Sequence, residues 1–555
     1  MTARLITAEP DAWDGTVDAL VAGSGGAGLT AALFAADHGL HVLVVEKTPL
    51  VGGTTGVSGG TVWIANNPHV TDAGVVDSPA DAAAYMRAVS AGTIDDDVLA
   101  TLVDDGPRLI TRLAAAGVAF EPFPSVGPTL DYRFRLPGAK HGGRSLTPVA
   151  FDLGRLGPWA DRIRQGTTAG WVTDKKSYYR NRAYLVRPQD RPPVAELPSG
   201  VVGAGSALIG HLLRACLDRG VEVRVEVSVE ALVVVDGSVR GVRLSTPDGP
   251  RTMRVRAGTV LATGGFEWNE ELKKRLLGRP LTHPVSAPVA DGDGLLLGLA
   301  AGADVRGLGD AWWTPAIDLG GAESPRGGGT RNMMCRVERG LPHAIIVNRA
   351  GRRFVNEATN YYDLPEAFGS FAAGVPNLPA WLVIDQQFRD RYPLVGTASD
   401  GVAEPDPAWL TQADTLEDLA ERCGIDVAGL AATVKAFNGY AAAGVDPEFG
   451  RGASSWDREW GDPAHGPNPS LGAIERGPFY AVELHAGALG TKGGLRVDGR
   501  GAVVSAATGE AMPGLYAVGN VAAGSVPWGY VGPGATLGPG MTFGMVAADH
   551  LAARV

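Results

Sequence analysis

At 555 residues the chain is too long for a single hydrophobic core, so two or more domains are expected. Its apolar fraction of 45% and charged fraction of 20% are ordinary for a globular protein. A net charge of −11 argues against a nucleic-acid partner, because no basic stripe is available to displace counterions. The three cysteines, Cys216, Cys335 and Cys423, are far apart with no C-x-x-C spacing, which argues against an iron–sulfur or zinc site and fits a reducing compartment. The opening MTARLITAEPDAWDG has neither an apolar core nor a basic leader, and no run of 18 apolar residues follows. A cytoplasmic protein, or one peripheral to a membrane, is the expectation.

Val17–Ala22 is a short apolar run, as a parallel strand buried on both faces requires. Gly23, Gly25 and Gly28 follow as G-x-G-x-x-G. Gly23 permits a tight turn, Gly25 lets the backbone approach a pyrophosphate, and Gly28 lets the next helix pack on the strand. Leu29–His38 reads as that helix, and its N-terminus offers N–H groups to phosphates. His41–Val45 is a second strand, ending at Glu46, where a carboxylate can accept hydrogen bonds from a ribose diol. A polar, glycine-rich loop, Gly52–Asn67, comes next, with hydroxyls able to reach phosphate or flavin oxygens. A simple nicotinamide site rarely needs such a second loop. The longer, buried FAD does.

Ser78–Ala116 is helical by pattern. Phe120–Gly154 is irregular and holds Asp131-Tyr132, then P-G-x-x-x-G-G-R ending at Arg144. Residues 155–200 are basic and aromatic (Lys175, Lys176, Tyr178, Tyr179, Arg180), as a solvated surface or an oligomer contact would be. Val201–Gly220 is a helix, and VEVRVEV with EALVVVDGSVRGVRLST reads as a β-meander turning at Asp236-Gly237. Thr259–Phe266 is a strand running into A-T-G-G. Asp291–Ala303 reads as a helix capped by Asp and ended by Gly. Then come D-A-W-W-T-P (Asp310–Pro315), a strand–turn–strand at Ile345–Phe354, N-E-A-T-N-Y-Y-D (Asn356–Asp363), a strand at Pro379–Asp385 and a helix pair over Leu416–Ala443. The glycine fingerprints return in Gly487–Asp498, Gly514–Asn520 and Ser525–Gly544, before a closing helix. The expected fold class is α/β, a Rossmann-like FAD-binding domain (1–284 and 461–555) with an inserted α+β substrate domain (285–460).

E-K-x-x-x-x-G-G-T-T-x-x-S-G-G resembles the flavoprotein superfamily of fumarate reductases and 3-ketosteroid dehydrogenases. The fumarate reductases clamp and protonate a dicarboxylate with arginines. Here the matching positions are Tyr530 and Tyr361, and their active-site histidine corresponds to Gly490. The chain is more similar to the 3-ketosteroid Δ1-dehydrogenases, sharing D-Y, D-A-W-W, N-E-x-x-x-Y, L-G-T-K-G-G and Y-x-G-P-G-x-T-x-G-P-x-M-T-F-G. The resemblance implies FAD held by Gly23, Gly25, Gly28, Glu46, Lys47, Gly53, Thr54, Thr55, Ser58, Gly59, Gly60, Val229, Ala262, Gly264, Gly519, Asn520, Ala535 and Leu537. It implies that Tyr530 and the Gly534 N–H hold a ketone oxygen, that Tyr361 is the base, and that Tyr132 supports it. Two donors on a carbonyl stabilise an enolate, and a second phenol stabilises a phenolate.

The chain departs from that pattern in three places. Tyr132 is followed by Arg133-Phe134-Arg135, Tyr361 by Tyr362, and Pro527-Trp528-Gly529 precedes Tyr530. Which of Tyr361 and Tyr362 points inward stays open. The substrate is then a 3-ketosteroid or another cyclic ketone, such as a Δ4-(5α) steroid or a cyclohexanone. A reductase of unsaturated acids fits less well, since the arginines are missing. The electron acceptor is expected to be external, a quinone or a dye-like molecule. Trp312 and Trp313 are read as pocket walls.

Overall fold

The computed structural model describes residues 4–123, 130–166, 182, 185, 197–320, 332–394 and 408–555. Apolar runs early in the chain form one sheet: β1 (Gly15–Ala22), β2 (Val42–Glu46), β3 (Glu222–Val225), β4 (Ser228–Val235), β5 (Ser238–Ser245) and β6 (Arg251–Leu261). β6, β1, β2 and β3 are parallel neighbours in that order, and a late strand, Ala511–Ala517, pairs parallel with β6. β4, β5 and β6 form the expected antiparallel meander. VEVRVEV is not part of it. Its strand β3 pairs parallel with β2 at the sheet edge, reached through the crossover helix Ala204–Asp218.

The helix after the glycine turn starts at Gly26 rather than Leu29 and runs to Asp37. The closing helix, Leu537–Ala552, lies so close to it that a Cβ at Gly544 would sit 2.6 Å from the Ala27 carbonyl oxygen. Ser78–Ala116 is two helices, Pro79–Val89 and Asp96–Ala115, because Ala91 and Gly92 take left-handed conformations between them. The helix Asp293–Ala300 starts after Gly292 at φ +84 with no side-chain cap, so the expected Asp cap is absent. Asp291 and Asp293 both bind Lys47.

A second sheet is antiparallel: β7 (Ala311–Asp318), β8 (Ala344–Asn348), β9 (Ala380–Asp385) and β10 (Phe479–Thr491), in the order β7-β10-β9-β8. Its strands alternate faces. Ile345, Val347, Trp381 and Val383 meet the helix pair Leu416–Cys423 and Val427–Ala443, while Ala344, Ile346, Leu382 and Ile384 line the opposite core. The expected second strand before Phe354 does not form, because the Asn348 side chain accepts from the Ala350 and Arg352 N–H groups and closes a turn. β10 lies beyond residue 461, yet its partners are β7, β9 and Leu410–Ala413. Between β7 and β10 the register slips. Ala311 faces Thr491 and Trp313 faces Ala488, so Leu489 and Gly490 together oppose Trp312. Among the described residues no helix is long and apolar enough to cross a membrane. The cluster from Lys175 to Arg180 lies outside the described residues.

Candidate active site

The glycine turn divides its glycines by what surrounds them. A Cβ on Gly23, at φ +110, would lie 2.3 Å from the Ala262 carbonyl oxygen, and one on Gly28 would lie 2.2 Å from the Gly23 carbonyl oxygen. Both are required by the protein's own backbone. At Gly25 the nearest atom is Thr55 Oγ1 at 3.6 Å, at Gly264 it is Ala290 Cβ at 3.7 Å, and nothing lies within 4 Å at Gly53. Those three edge a cradle that a Cβ would fill. The helix Gly26–Asp37 has no acid in its first turn and no side-chain cap, so its dipole is free to meet an anion. These are the features a dinucleotide pyrophosphate needs, and the residues fit FAD.

Glu46 is buried at the tip of β2. Its Oε2 accepts from Ser24 Oγ at 2.6 Å, and its Oε1 accepts from the Thr48 N–H and hydroxyl at 2.9 Å each. Ser24, not anticipated from the sequence, also accepts from the Gly52 N–H at 3.0 Å and so ties the second loop to the first turn. Thr55 Oγ1 accepts from the Gly26 N–H at 3.0 Å. Ser58 Oγ accepts from the Gly60 N–H and donates to the Thr55 carbonyl, shaping the loop around Thr54 and Gly59. Lys47 departs from expectation. One residue past Glu46 its side chain leaves on the other side, 2.8 Å from both Asp291 and Asp293. Val229 opens β4, where the neighbouring Val227 N–H bonds the Glu46 carbonyl at 3.0 Å, and the Ala262 N–H bonds Ala22 at 2.8 Å. Gly519, Asn520 and Ala535 line one cleft with Trp312 and Thr536, and Leu537 begins the closing helix, whose first turn also holds no acid.

Beyond that cleft four distant segments meet as aromatic rings. Tyr530 lies 5.3 Å from Tyr132, 6.1 Å from Tyr361, 5.4 Å from Tyr362 and 5.0 Å from Trp312, centroid to centroid. Tyr361 hydrogen-bonds to both Tyr132 and Tyr530, and the Gly534 N–H and Thr536 hydroxyl bond to the Tyr530 oxygen. Burial pushes all three phenols well above their usual value, and the Arg336 charge opposes this at Tyr132 and Tyr361. Tyr362 is turned away, its hydroxyl 3.3 Å from Asp310 Oδ2 and 3.1 Å from Lys492 Nζ.

Buried charge holds each ring. Beside Tyr132, Asp131 accepts from Trp63 Nε1, the Lys140 N–H and Arg144 Nη1, each at 2.8 Å, and Arg144 also grips Asp77. The Tyr132 N–H bonds the Val531 carbonyl at 3.1 Å, joining this loop to the tail. Glu357, four residues before Tyr361, is held by Arg353 through both oxygens at 2.8 Å and by Arg451 at 3.1 Å. Arg133, one of the basic residues after Tyr132, pairs with Asp363 at 2.8 Å.

Of the two tryptophans expected as walls, only Trp312 lines the site, donating to Asn520 Oδ1 at 3.1 Å. Trp313 faces the opposite layer and donates to Asp310 Oδ1 at 2.7 Å. Trp456, 5.1 Å from Tyr132, and Lys492 escaped the sequence reading because neither stands in contact with its sequence neighbours' rings.

The FAD binding domain family matches residues 18–537. The 4-oxocyclohexanecarboxylate 2-dehydrogenase of Sinomonas cyclohexanicum is 40% identical over 97% of this chain and 93% of its own. The 3-oxosteroid 1-dehydrogenase of Mycolicibacterium smegmatis is 37% identical over 97% of each chain. The crystal structure of 3-ketosteroid Δ1-dehydrogenase from Sterolibacterium denitrificans, in complex with 1,4-androstadiene-3,17-dione, superposes with a TM-score of 0.86 at 33% identity, covering 97% of this chain and 99% of that one. The chain therefore belongs to the FAD-binding flavoprotein family, in the branch that holds these ketone dehydrogenases.

Proposed function

We propose that the protein is an FAD-dependent dehydrogenase that desaturates a cyclic ketone beside its carbonyl, with C1–C2 of a 3-ketosteroid as the leading case. The observation that carries this reading is the hydroxyl chain Tyr132–Tyr361–Tyr530, ending where the Gly534 N–H converges on the Tyr530 oxygen. A ketone oxygen at that point receives two donors, Tyr530 O–H and Gly534 N–H, which stabilise enolate character and acidify the α-carbon. Tyr361 takes the C2 proton, and Tyr132 donates to the phenolate that precedes this. The same residues return the proton to solvent after turnover. FAD, when bound in the Gly25, Gly53 and Gly264 cradle, supplies the acceptor for the hydride leaving C1. The rings of Trp312, Trp456 and Tyr362 exclude water and present flat apolar walls to a flat substrate.

In this reading β1, β2, β3 and β6 are the Rossmann-like FAD-binding sheet, and the second sheet is the inserted substrate domain. The insert runs on through β10 to Thr491. An external quinone or dye-like molecule reoxidises the flavin.

A second substrate is favoured by one observation. The relative at 40% identity is named for 4-oxocyclohexanecarboxylate. Both substrates place a ketone at the same donors. The test is anaerobic mixing of the FAD-loaded protein with androst-4-ene-3,17-dione and, separately, with 4-oxocyclohexanecarboxylate. Bleaching by the steroid with a 1,4-dien-3-one product supports the leading case. Bleaching by the cyclohexanone alone keeps the Tyr530 chemistry and changes the substrate. No bleaching by either overturns the dehydrogenase reading.

A further inference from the structure

The residue directly before Tyr530 is held in an unusual way. The Gly529 N–H bonds the Pro527 carbonyl at 2.9 Å, closing a three-residue turn with Trp528 at φ +63. Such a turn is strained in a residue with a side chain. The Trp528 indole is 73% exposed, so its burial contributes little to holding the turn. The Gly529 end is fixed. A Cβ there would lie 2.4 Å from Val89 Cγ1, and the Gly529 carbonyl accepts from Lys492 Nζ at 2.8 Å.

Lys492 is itself locked. Its backbone N–H bonds Asp310 at 3.0 Å and its carbonyl accepts from the Gly524 N–H at 2.8 Å. Its side chain is buried, with Nζ 2.8 Å from the Gly529 oxygen, 3.1 Å from the Tyr362 hydroxyl and 3.5 Å from Asp310 Oδ2. An ammonium has three N–H donors for these three acceptors, whereas a neutral amine has two. Nζ also lies 5.0 Å from the Trp312 ring and 5.4 Å from the Tyr362 ring, both of which pack against Tyr530.

We propose that Lys492, in its charged form, is the positioning residue of the ketone site: it pins the Gly529 carbonyl, holds the Trp528 turn and so aims the Tyr530 hydroxyl. This rests on the reading of Tyr530 as a ketone donor. The charge is within reach of ordinary pH. Burial pulls Lys492 down to about 8 against the pull of Asp310, with Glu366 favouring the charge and Arg133 opposing it.

The experiment uses the FAD-loaded full chain and whichever of androst-4-ene-3,17-dione and 4-oxocyclohexanecarboxylate bleaches the flavin. Its kcat/KM is measured from pH 6 to 10 for the wild type, Lys492→Met and Asp310→Asn. Its Kd is read from flavin absorbance in the Tyr361→Phe background, where the ketone is not consumed. Lys492→Met should weaken Kd about tenfold or more, as the loss of a charged hydrogen bond does. The wild-type to Lys492→Met ratio of kcat/KM should be constant below about pH 7 and fall about tenfold per unit above about pH 8. Asp310→Asn should move that break to lower pH. A Lys492→Met ratio that is independent of pH, or an unchanged Kd, overturns the proposal. If Lys492→Met does not fold, an Asp310→Asn break at the wild-type pH overturns it. Wild-type binding by Tyr530→Phe would refute the underlying ketone reading, whereas lost binding there with normal binding by Lys492→Met refutes this inference alone.

Discussion

The turn at Gly23–Gly28 and the ring cluster around Tyr530 are both binding sites in the reading developed above, but they are made of opposite materials. At the turn the site consists of missing side chains and backbone N–H groups, so its shape is set by the main chain within one strand–turn–helix unit. Around Tyr530 it consists of large side chains from four segments, each anchored by buried charge: Asp131 on Arg144, Glu357 on Arg353 and Arg451, Gly529 on Lys492. A backbone site tolerates almost no substitution where it packs on itself. A side-chain site tolerates loss of one functional atom while the ring remains.

The largest effect expected from that contrast is at Gly23. Gly23→Ala should cost about 3 kcal/mol or more, through backbone strain and a clash with the Ala262 carbonyl, and should leave no soluble flavin-bearing protein. Gly25→Ala should leave the melting point of the FAD-free chain unchanged and lower only the flavin content of the purified protein. Full flavin content in that variant would break the comparison. Tyr361→Phe should lower kcat by about 10²–10⁴ with the fold intact, as loss of a general base does. Tyr530→Phe should lower kcat/KM by about 10²–10³, as loss of one donor to a developing oxyanion does.

Next in size is a pH effect at Glu267, which lies under β10 with its Oε2 3.3 Å from the Thr491 N–H. Burial pushes its carboxyl up from the ordinary 4.5 to about 7. A raised pKa means the fold prefers the protonated acid. That contribution is whole below pH 4.5 and is lost as pH rises through 7, at a slope of at most about 1.4 kcal/mol per unit. Glu267→Gln should flatten that slope in chemical denaturation. An unchanged slope would remove Glu267 from the account. The smallest effect belongs to Tyr362→Phe, less than about tenfold in kcat/KM, because its hydroxyl faces Asp310 and Lys492 rather than Tyr361. A loss equal to that of Tyr361→Phe would exchange the roles of the two tyrosines.

Much of the first region was legible because its information is local. The spacing of Gly23, Gly25 and Gly28 carries the turn, the close packing and the open edge within six residues. The second region was legible only where resemblance pointed at single tyrosines. Its supports were not, since Lys492 meets Gly529 and Tyr362 at separations of 37 and 130 residues, and nothing in either segment marks the other. The misreadings share a cause. V-E-V-R-V-E-V alternates correctly for a meander or a parallel edge, and only the crossover helix decides. The Asp residues before the Asp293 helix look like caps until Lys47 is seen to claim them.

The two-against-one pairing of Leu489 and Gly490 with Trp312 has a bearing on how this chain can change length. Side chains on a strand alternate, so their facing is a matter of odd and even counts. Deleting either Leu489 or Gly490 would restore a regular ladder and reverse the parity of everything after it. Thr491, whose hydroxyl accepts from the Phe266 N–H, and Lys492 would exchange sides. A single lost codon there would leave every named tyrosine in place while turning its support outward, so drift in this segment is confined to exchanges of residues at constant length.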